Sequence, residues 1–478
     1  MVGQARGTLQ RNVRQHKAAL LKATNEILED RVDRLNCLPD SLLLHILSFL
    51  EMPDVINTTL LSTRWRYLWT SISSLNFSGS ALEDDVTFID RSLYHYEGSK
   101  VDKLLIHFIY INNTNDLQVD SWIRFARRHN VEEFVLDFFH GMYPDDWSDK
   151  HYKLPRSLFN FKSLTSLTLS FCILNLPDSI DLSSLKTLSL QFIDISSDMI
   201  THLTSSCPLL EDLYFEGCNR HDHLNITITS QNLKSLRIYD FNGDISGSIS
   251  ICAPNLLSLK CNSSLPREKY IVHSLPSLVT AEFYDCGNYD SKEFEVGGGY
   301  VWARLLGDLH HVKKLVLCRY FIQVLSIWEV QMLDSFPTNA KHIELQTFLS
   351  KRELPGIFYI LKNSSKLESL TIRRLRLGNN IQCCRQIADK FDFKEAEFWE
   401  SKGSDSPSLL QNLKTVKVGI VSMEFVKFLL RSSKALERMV IDVGKNKASG
   451  NNYKRLFELA EKLLALPRAS PNAEICII

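Results

Sequence analysis

No stretch of this 478-residue chain holds the roughly 18 consecutive apolar residues that cross a bilayer as a helix. The N-terminal region lacks the apolar core of a secretory signal, so the chain is expected in the nucleus or cytoplasm. Neither sign of charge is in excess: 55 Lys and Arg face 55 Asp and Glu, a formal net charge of +0. That balance supplies no drive toward nucleic acid or an anionic membrane, and neither is expected as a partner. Asn-x-Ser/Thr triplets such as Asn112-Asn113-Thr114 and Asn225-Ile226-Thr227 carry no weight as glycosylation sites in such a compartment.

Motifs of catalysis and metal binding are also missing. There is no GxSxG elbow, no Walker loop and no HExxH, and the run Gly297-Gly298-Gly299 is not followed by a helix opening with Lys-Ser/Thr. The 11 cysteines are an odd number without a CxxC pair, which argues against a zinc site and against a disulfide framework in a reducing compartment. Cys383 and Cys384 are adjacent, a poor geometry for an ordinary mutual disulfide. His221-Asp222-His223 places its imidazoles at i and i+2 in an expected loop between repeats, which reads as solvated rather than metal-binding. His310-His311 reads as surface before a strand. The expectation is a non-enzymatic chain with no metal and no cofactor.

What is present is an ordinary soluble composition, 44% hydrophobic and 23% charged, with two patterns written over it. From about residue 100 onward, apolar residues recur at i, i+3, i+5. The clearest triplets are Leu164/Leu167/Leu169, Leu185/Leu188/Leu190, Leu210/Leu213/Phe215, Leu233/Leu236/Ile238, Leu256/Leu259/Cys261 and Leu278/Ala281/Phe283, separated by 21, 25, 23, 23 and 22 residues. That period lies in the leucine-rich-repeat range of roughly 20 to 29, so each triplet predicts a short strand stacked in parallel beside the next. Looser copies flank these: Val101/Leu104/Ile106 and Val131/Phe134/Leu136 before, and Val312/Leu315/Leu317, Ala340/Ile343/Leu345, Leu367/Leu370/Ile372, Leu413/Val416/Val418 and Leu436/Met439/Ile441 after. Steps among them reach 34 and 46 residues, which predicts insertions looping out at Asp285 to Tyr300 and Gly378 to Pro407. Cys172, Cys218 and Cys286 fall eight residues after the first leucine of their triplets, where this repeat class uses Asn or Cys to bond the turning backbone.

The second pattern is a helical unit over residues 35 to 69. Pro39 suits a first helical turn, and Leu42, Leu43, Ile46, Leu47 and Leu50 follow at helical spacing, predicting a helix from Pro39 to Leu50. Met52-Pro53-Asp54 opens a second helix, and Trp65, Leu68 and Trp69 close a short third. Three helices in so short a segment build only a small core, so apolar surface is left over for a partner.

Leu38-Pro39-Asp40, Ile46-Leu47-Ser48-Phe49-Leu50 and Leu61-Ser62-Thr63-Arg64-Trp65-Arg66-Tyr67-Leu68-Trp69 together resemble an F-box of the form common in plant proteins. The resemblance implies docking onto a Skp-type adaptor and through it a cullin-RING core, with Leu38, Pro39, Leu42, Leu43, Ile46 and Leu47 facing the adaptor. Trp65 and Trp69 would brace the third helix. Near the C-terminus, Leu413 to Ile441 followed by Leu466-Pro467-Arg468-Ala469-Ser470-Pro471-Asn472-Ala473 resembles the FBD module that follows such repeats in plant F-box proteins. A helix from Tyr453 to Leu464 is expected to help cover the last repeat.

The expected architecture is therefore α/β: a three-helix F-box, then a leucine-rich-repeat solenoid with its parallel sheet on the concave face and helices and loops on the convex face. The expected divisions are a flexible basic extension at 1–30, the F-box at 31–75, the solenoid at 76–410 and the FBD-like cap at 411–478. Residues beside the core triplets face outward, which marks Tyr214, Arg237, Tyr239, Lys260, Glu282 and Tyr284 as the candidate target-binding face. The expected function is the substrate-recognition subunit of a ubiquitin ligase; a protein-interaction scaffold without a ligase role is the alternative.

Overall fold

The computed structural model describes residues 35–78, 86–110, 114–138, 151–218, 226–239, 249–262, 270–272, 275–284, 305–330, 337–375, 393–405, 409–419, 422–442, 461–463 and 465–478. The basic extension 1–30, His221-Asp222-His223, Cys286, Cys383-Cys384 and the insertion 285–300 lie outside these residues, as do 453–460 and 464 of the expected C-terminal helix.

The chain opens on three short helices. α1 (Asp40–Leu47) follows Pro39, whose φ of −64° already suits a helix start. α2 (Met52–Asn57) carries Pro53 in its first turn, and α3 (Trp65–Leu68) continues as a 3-10 turn through Ser71. Leu43, Leu47, Met52, Val55 and Trp65 are buried and form the small core expected of such a unit. Arg64 ties its ends together: Nε donates to Asp40 Oδ1 at 2.9 Å and Nη2 to the Leu38 carbonyl at 2.6 Å.

The solenoid starts at once with β1 (Ser74–Phe77), and Ile72, Leu75 and Phe77 form a buried i, i+3, i+5 triplet one repeat earlier than the first predicted copy. Strands and helices then alternate: α4 (Val86–Tyr94), β2 (Lys103–His107), α5 (Asp116–Arg128) and β3 (Glu133–Asp137). Next come β4 (Tyr152–Lys153), β5 (Ser166–Ser170), β6 (Cys172–Ile173), β7 (Thr187–Gln191), α6 (Ser197–Ser206) and β8 (Asp212–Glu216). Among the described residues the central repeats hold strands and no helix: β9 (Ile226–Thr229), β10 (Ser235–Tyr239), β11 (Ile249–Cys252), β12 (Ser258–Asn262), β13 (Tyr270–Val272) and β14 (Thr280–Tyr284). Helices return with β15 (Lys314–Leu317), α7 (Arg319–Val330), β16 (His342–Thr347), α8 (Leu354–Lys362) and β17 (Ser369–Arg374). The chain closes with α9 (Glu395–Asp405), β18 (Thr415–Gly419), α10 (Met423–Ser432), β19 (Arg438–Asp442) and β20 (Glu474–Ile477).

Fifteen of these strands form one parallel sheet, in the order β1-β2-β3-β5-β7-β8-β10-β12-β14-β15-β16-β17-β18-β19-β20. The register is the predicted one: Leu167 lies opposite Leu188, Leu188 opposite Leu213, then Leu236, Leu259 and Ala281 in turn. Each strand thus sets its apolar residues into one continuous core and leaves the intervening side chains on the open face. Leu210, Leu233, Leu256 and Leu278, the first members of their triplets, are buried under the turns that enter the strands. Asn255 and Asn232 extend the ladder outside the sheet, each donating Nδ2 to a carbonyl of the preceding repeat (Gln231 and Pro208) at 2.7 Å. Cys218 is buried with its Sγ on the Leu190 carbonyl at 3.3 Å, the structural role its spacing implies. Strand exits share a left-handed residue: Phe171, Phe192 and Gly217 have φ of 54°, 50° and 58°, and the two rings stack with centroids 4.6 Å apart. A Cβ at Gly217 would meet the Phe192 ring at 2.3 Å, which explains the glycine.

Two expectations need correction. The second layer is not helices and loops throughout: β9, β11 and β13 form a three-stranded parallel sheet there. Repeat length alone does not decide this, since the 23-residue step from Leu413 to Leu436 holds the ten-residue helix α10. The insertion Gly378 to Pro407 is not simply an excursion either, since its described part contains α9. Trp399 of that helix is buried against Phe425 and Phe428 of α10, with centroids 4.9 and 4.6 Å away. At the C-terminus the segment before β20 is tied back by Ala469 N–H on the Leu430 carbonyl at 2.9 Å and Ser470 Oγ on the Leu436 carbonyl at 2.7 Å.

Gly356 sets the approach of α8 to α7: its N–H donates to Ser326 Oγ at 2.7 Å, and a Cβ there would sit 1.9 Å from the Ile322 carbonyl oxygen. Gly356→Ala is expected to lower stability by about 1–3 kcal/mol by forcing the two helices apart. Gly403→Ala, where the nearest atom to the added methyl is 3.9 Å away, should leave the midpoint unchanged or raised. Thermal unfolding followed by circular dichroism checks both.

Candidate functional site

Two surfaces stand out, one on the helical unit and one on the sheet. On α1, Leu42 and Ile46 at i and i+4 share the outward face, and Phe49 in the turn just after the helix is exposed beside them in the chain. Phe49 is 74% exposed, and Leu60 beyond α2 is 86% exposed; Leu35, Leu61 and Tyr67 are also exposed. Pro39 joins this surface, and Leu38 is half-buried at its edge. Leu43 and Leu47, expected on the same face, are instead 0% exposed. They occupy the inward stripe of α1 and hold the helix to Met52, Val55 and Trp65, so their contribution to the outer surface is indirect. Spacing alone could have separated the two stripes; it could not reveal that Phe49, Leu60, Leu61 and Tyr67 extend the exposed one. Arg64 was also missed, because only the folded unit brings it to Asp40 and the Leu38 carbonyl.

On the sheet, all six candidate residues fall into two adjacent rows. Tyr214, Arg237, Lys260 and Glu282 are consecutive register partners, and Tyr239 and Tyr284 occupy the next row with Asn262 between them. The Arg237 guanidinium lies over the Tyr214 ring, 4.9 Å from its centroid, and the Tyr214 and Tyr239 rings meet edge to face at 5.6 Å. Burial, and then the Tyr214 hydroxyl's bond to Glu216, pushes its pKa well above the usual range. Burial likewise raises Tyr239, and burial with the bond to Glu282 raises Tyr284. All three are neutral hydrogen-bonding groups at physiological pH.

Glu282 is the anchor of this face. It is 2% exposed and receives Lys314 Nζ at 2.6 Å, Lys260 Nζ at 2.9 Å and the Tyr284 hydroxyl at 2.7 Å. Burial alone would raise its carboxyl, but these bonds outweigh it and hold the group at about 2, below its ordinary 4.5. The face is therefore a fixed pattern of aromatic rings and paired charges. Among the described residues no group of three or more His, Cys, Asp or Glu is placed to hold a metal ion.

An F-box-like helical unit with an exposed apolar surface, joined to a repeat solenoid with a patterned open face, defines a protein-interaction molecule. Comparison with known proteins gives the family. Residues 35–77 match the F-box domain model, and residues 119–338 match the model described as FBD-associated F-box protein At5g56370, LRR repeats. The chain is 30% identical over 462 residues, 94% of its length and 92% of the relative's, to "Putative F-box/LRR-repeat protein At3g18150" of Arabidopsis thaliana. It is 26% identical over 465 residues to "F-box/FBD/LRR-repeat protein At1g13570" of the same plant, covering 93% of this chain and 98% of that one. The chain belongs to the plant F-box/LRR-repeat family, with an FBD-like module at its end. F-box domains in general bind Skp1-type adaptors.

The Glu282 network should be sensitive to acid. Because its folded value lies below 4.5, it contributes stability in full above about 4.5 and loses it as pH falls toward about 2. Denaturant titrations of wild type and Glu282→Gln are expected to show a stability difference that shrinks across that window; a difference independent of pH would remove the carboxylate from this role.

Proposed function

We propose that this chain is the substrate-recognition subunit of a Skp-cullin-F-box type ubiquitin ligase in the nucleus or cytoplasm. Its F-box holds the adaptor, and through it the cullin-RING core, while the open face of the sheet holds a target protein. The observation that carries this reading is the exposed apolar surface of α1 and the turn after it, Leu42, Ile46 and Phe49, on a unit whose inward stripe is fully buried. A fully covered aliphatic side chain contributes about 1.5–3 kcal/mol, so a few such residues are enough for a stable complex. The receptor performs no bond chemistry. Its contribution is proximity, since a target held on a rigid sheet presents its lysines to a ubiquitin-charged enzyme at a high effective concentration. Tyr214, Arg237, Tyr239 and Tyr284 suit target binding because aromatic and arginine side chains supply much of the energy at protein interfaces.

Co-expression with a Skp-type adaptor tests the reading. The expected outcome is a stoichiometric complex that Leu42→Asp/Ile46→Asp weakens by more than about a hundredfold while leaving thermal unfolding of the free chain near wild type. A wild-type chain that is folded and monodisperse but ignores the adaptor would overturn the proposal.

A further inference from the structure

The first two repeats carry helical returns, and between α4 and α5 lies an open cleft of about 730 Å³. Ser121, Arg124, Phe125 and Arg128 line it from α5 at i, i+3, i+4 and i+7, and therefore from one face of that helix. Arg91 and Tyr94 line it from α4, so three guanidiniums meet in one concavity.

None of the three forms a hydrogen bond or ion pair with any described residue. Some other cations of these and later repeats are paired, such as Lys100 with Glu132 at 2.6 Å, Lys234 with Glu211 at 2.9 Å and Lys341 with Glu368 at 2.6 Å. Asp90 is the acid lining the cleft, and it accepts the Trp122 indole N–H at 2.6 Å rather than pairing with an arginine. His129 is held toward its neutral form and adds no further positive charge: burial, and then the charge of Arg128, lowers its pKa. The walls are aromatic as well as basic. The Phe125 ring lies 4.2 Å from His129 and 5.7 Å from Tyr96, while Tyr94 at the mouth is exposed. A chain of zero net charge has thus placed three arginines, which pair with no described residue, and one carboxylate around a cleft with aromatic walls.

We propose that this cleft binds an acidic, phosphorylated peptide segment of a partner protein. Arg91, Arg124 and Arg128 would take phosphate and carboxylate oxygens, for which the planar guanidinium fork is suited, and Phe125 and Tyr94 an apolar side chain beside them. Nucleic acid fits less well, because the cleft is lined by three arginines together with the Asp90 carboxylate, and the chain as a whole has no excess of basic residues. The site lies on the helical layer and shares no residue with the sheet face, so the proposal stands independently of how a target is bound there.

The test is fluorescence anisotropy with a labelled peptide of sequence Glu-Phe-phosphoSer-Glu-Glu, its unphosphorylated form, and inorganic pyrophosphate as competitor. Wild type is expected to bind the phosphopeptide in a salt-dependent manner, at least about tenfold more tightly than the unphosphorylated form. Arg124→Glu/Arg128→Glu should lose at least that factor with an unchanged circular dichroism melt, both positions being exposed, and Arg124→Lys/Arg128→Lys should retain part of it. No binding to wild type, or equal binding by the charge-reversed variant, overturns the proposal. Displacement by pyrophosphate at the peptide's own concentration overturns the peptide assignment, since the aromatic walls would then contribute nothing.

Discussion

An apolar triplet shared between a five-residue strand and the turn that enters it cannot be buried by its own repeat, and the rest of the molecule follows from that. Each triplet closes against the one before and after it, which is why Leu167, Leu188, Leu213, Leu236 and Leu259 stand in a single file across the sheet. The file fixes register, because a slip of one residue would turn each core side chain outward. It also fixes the open face, since whatever lies between the core positions is presented there at the spacing of the strands. Tyr214, Arg237, Lys260 and Glu282 are neighbours for that reason, although more than twenty residues separate each from the next.

The same constraint creates the problem of ends. At the C-terminal side β20 pairs with β19, and the segment leading into it is stitched to Leu430 and Leu436. At the N-terminal side the helical unit leads straight into β1 and contributes to the same core through Leu43, Leu47 and Trp65. That unit therefore serves twice: its inward stripe joins the solenoid's core, and its outward stripe stays exposed. Like-charged groups follow a similar division. Several repeat cations are paired with an acid of a neighbouring repeat, and among the described residues the three arginines of the α4–α5 cleft have no such partner.

The repeats were readable in the sequence to the residue, because i, i+3, i+5 spacing encodes both strand and register; Leu104, Phe134, Ile343, Leu370, Val416 and Met439 align as the spacing implies. What lies behind the strands was less readable. β9, β11 and β13 have no period long enough to distinguish them from loops, and the mixed charges of residues 378–407 concealed Trp399, whose burial depends on α10. Within α1, hydrophobicity marked Leu42, Leu43, Ile46 and Leu47 alike, and only the packing of the helix separated exposed from buried. Arg124 and Arg128 carry no distinguishing signal in the sequence, since the cleft they line is completed by Arg91 from another repeat. Sequence spacing reports what is stacked in order; it is silent on contacts made across elements.

Hydrogen exchange of the chain with and without a Skp-type adaptor tests the central claim, that the outward stripe of the F-box docks while the sheet face stays open. The account predicts new protection confined to the segments around Leu42–Phe49 and Leu60–Tyr67, with the strands from Asp212 to Tyr284 unchanged. Protection appearing on those strands, or none on the helical unit, would contradict it.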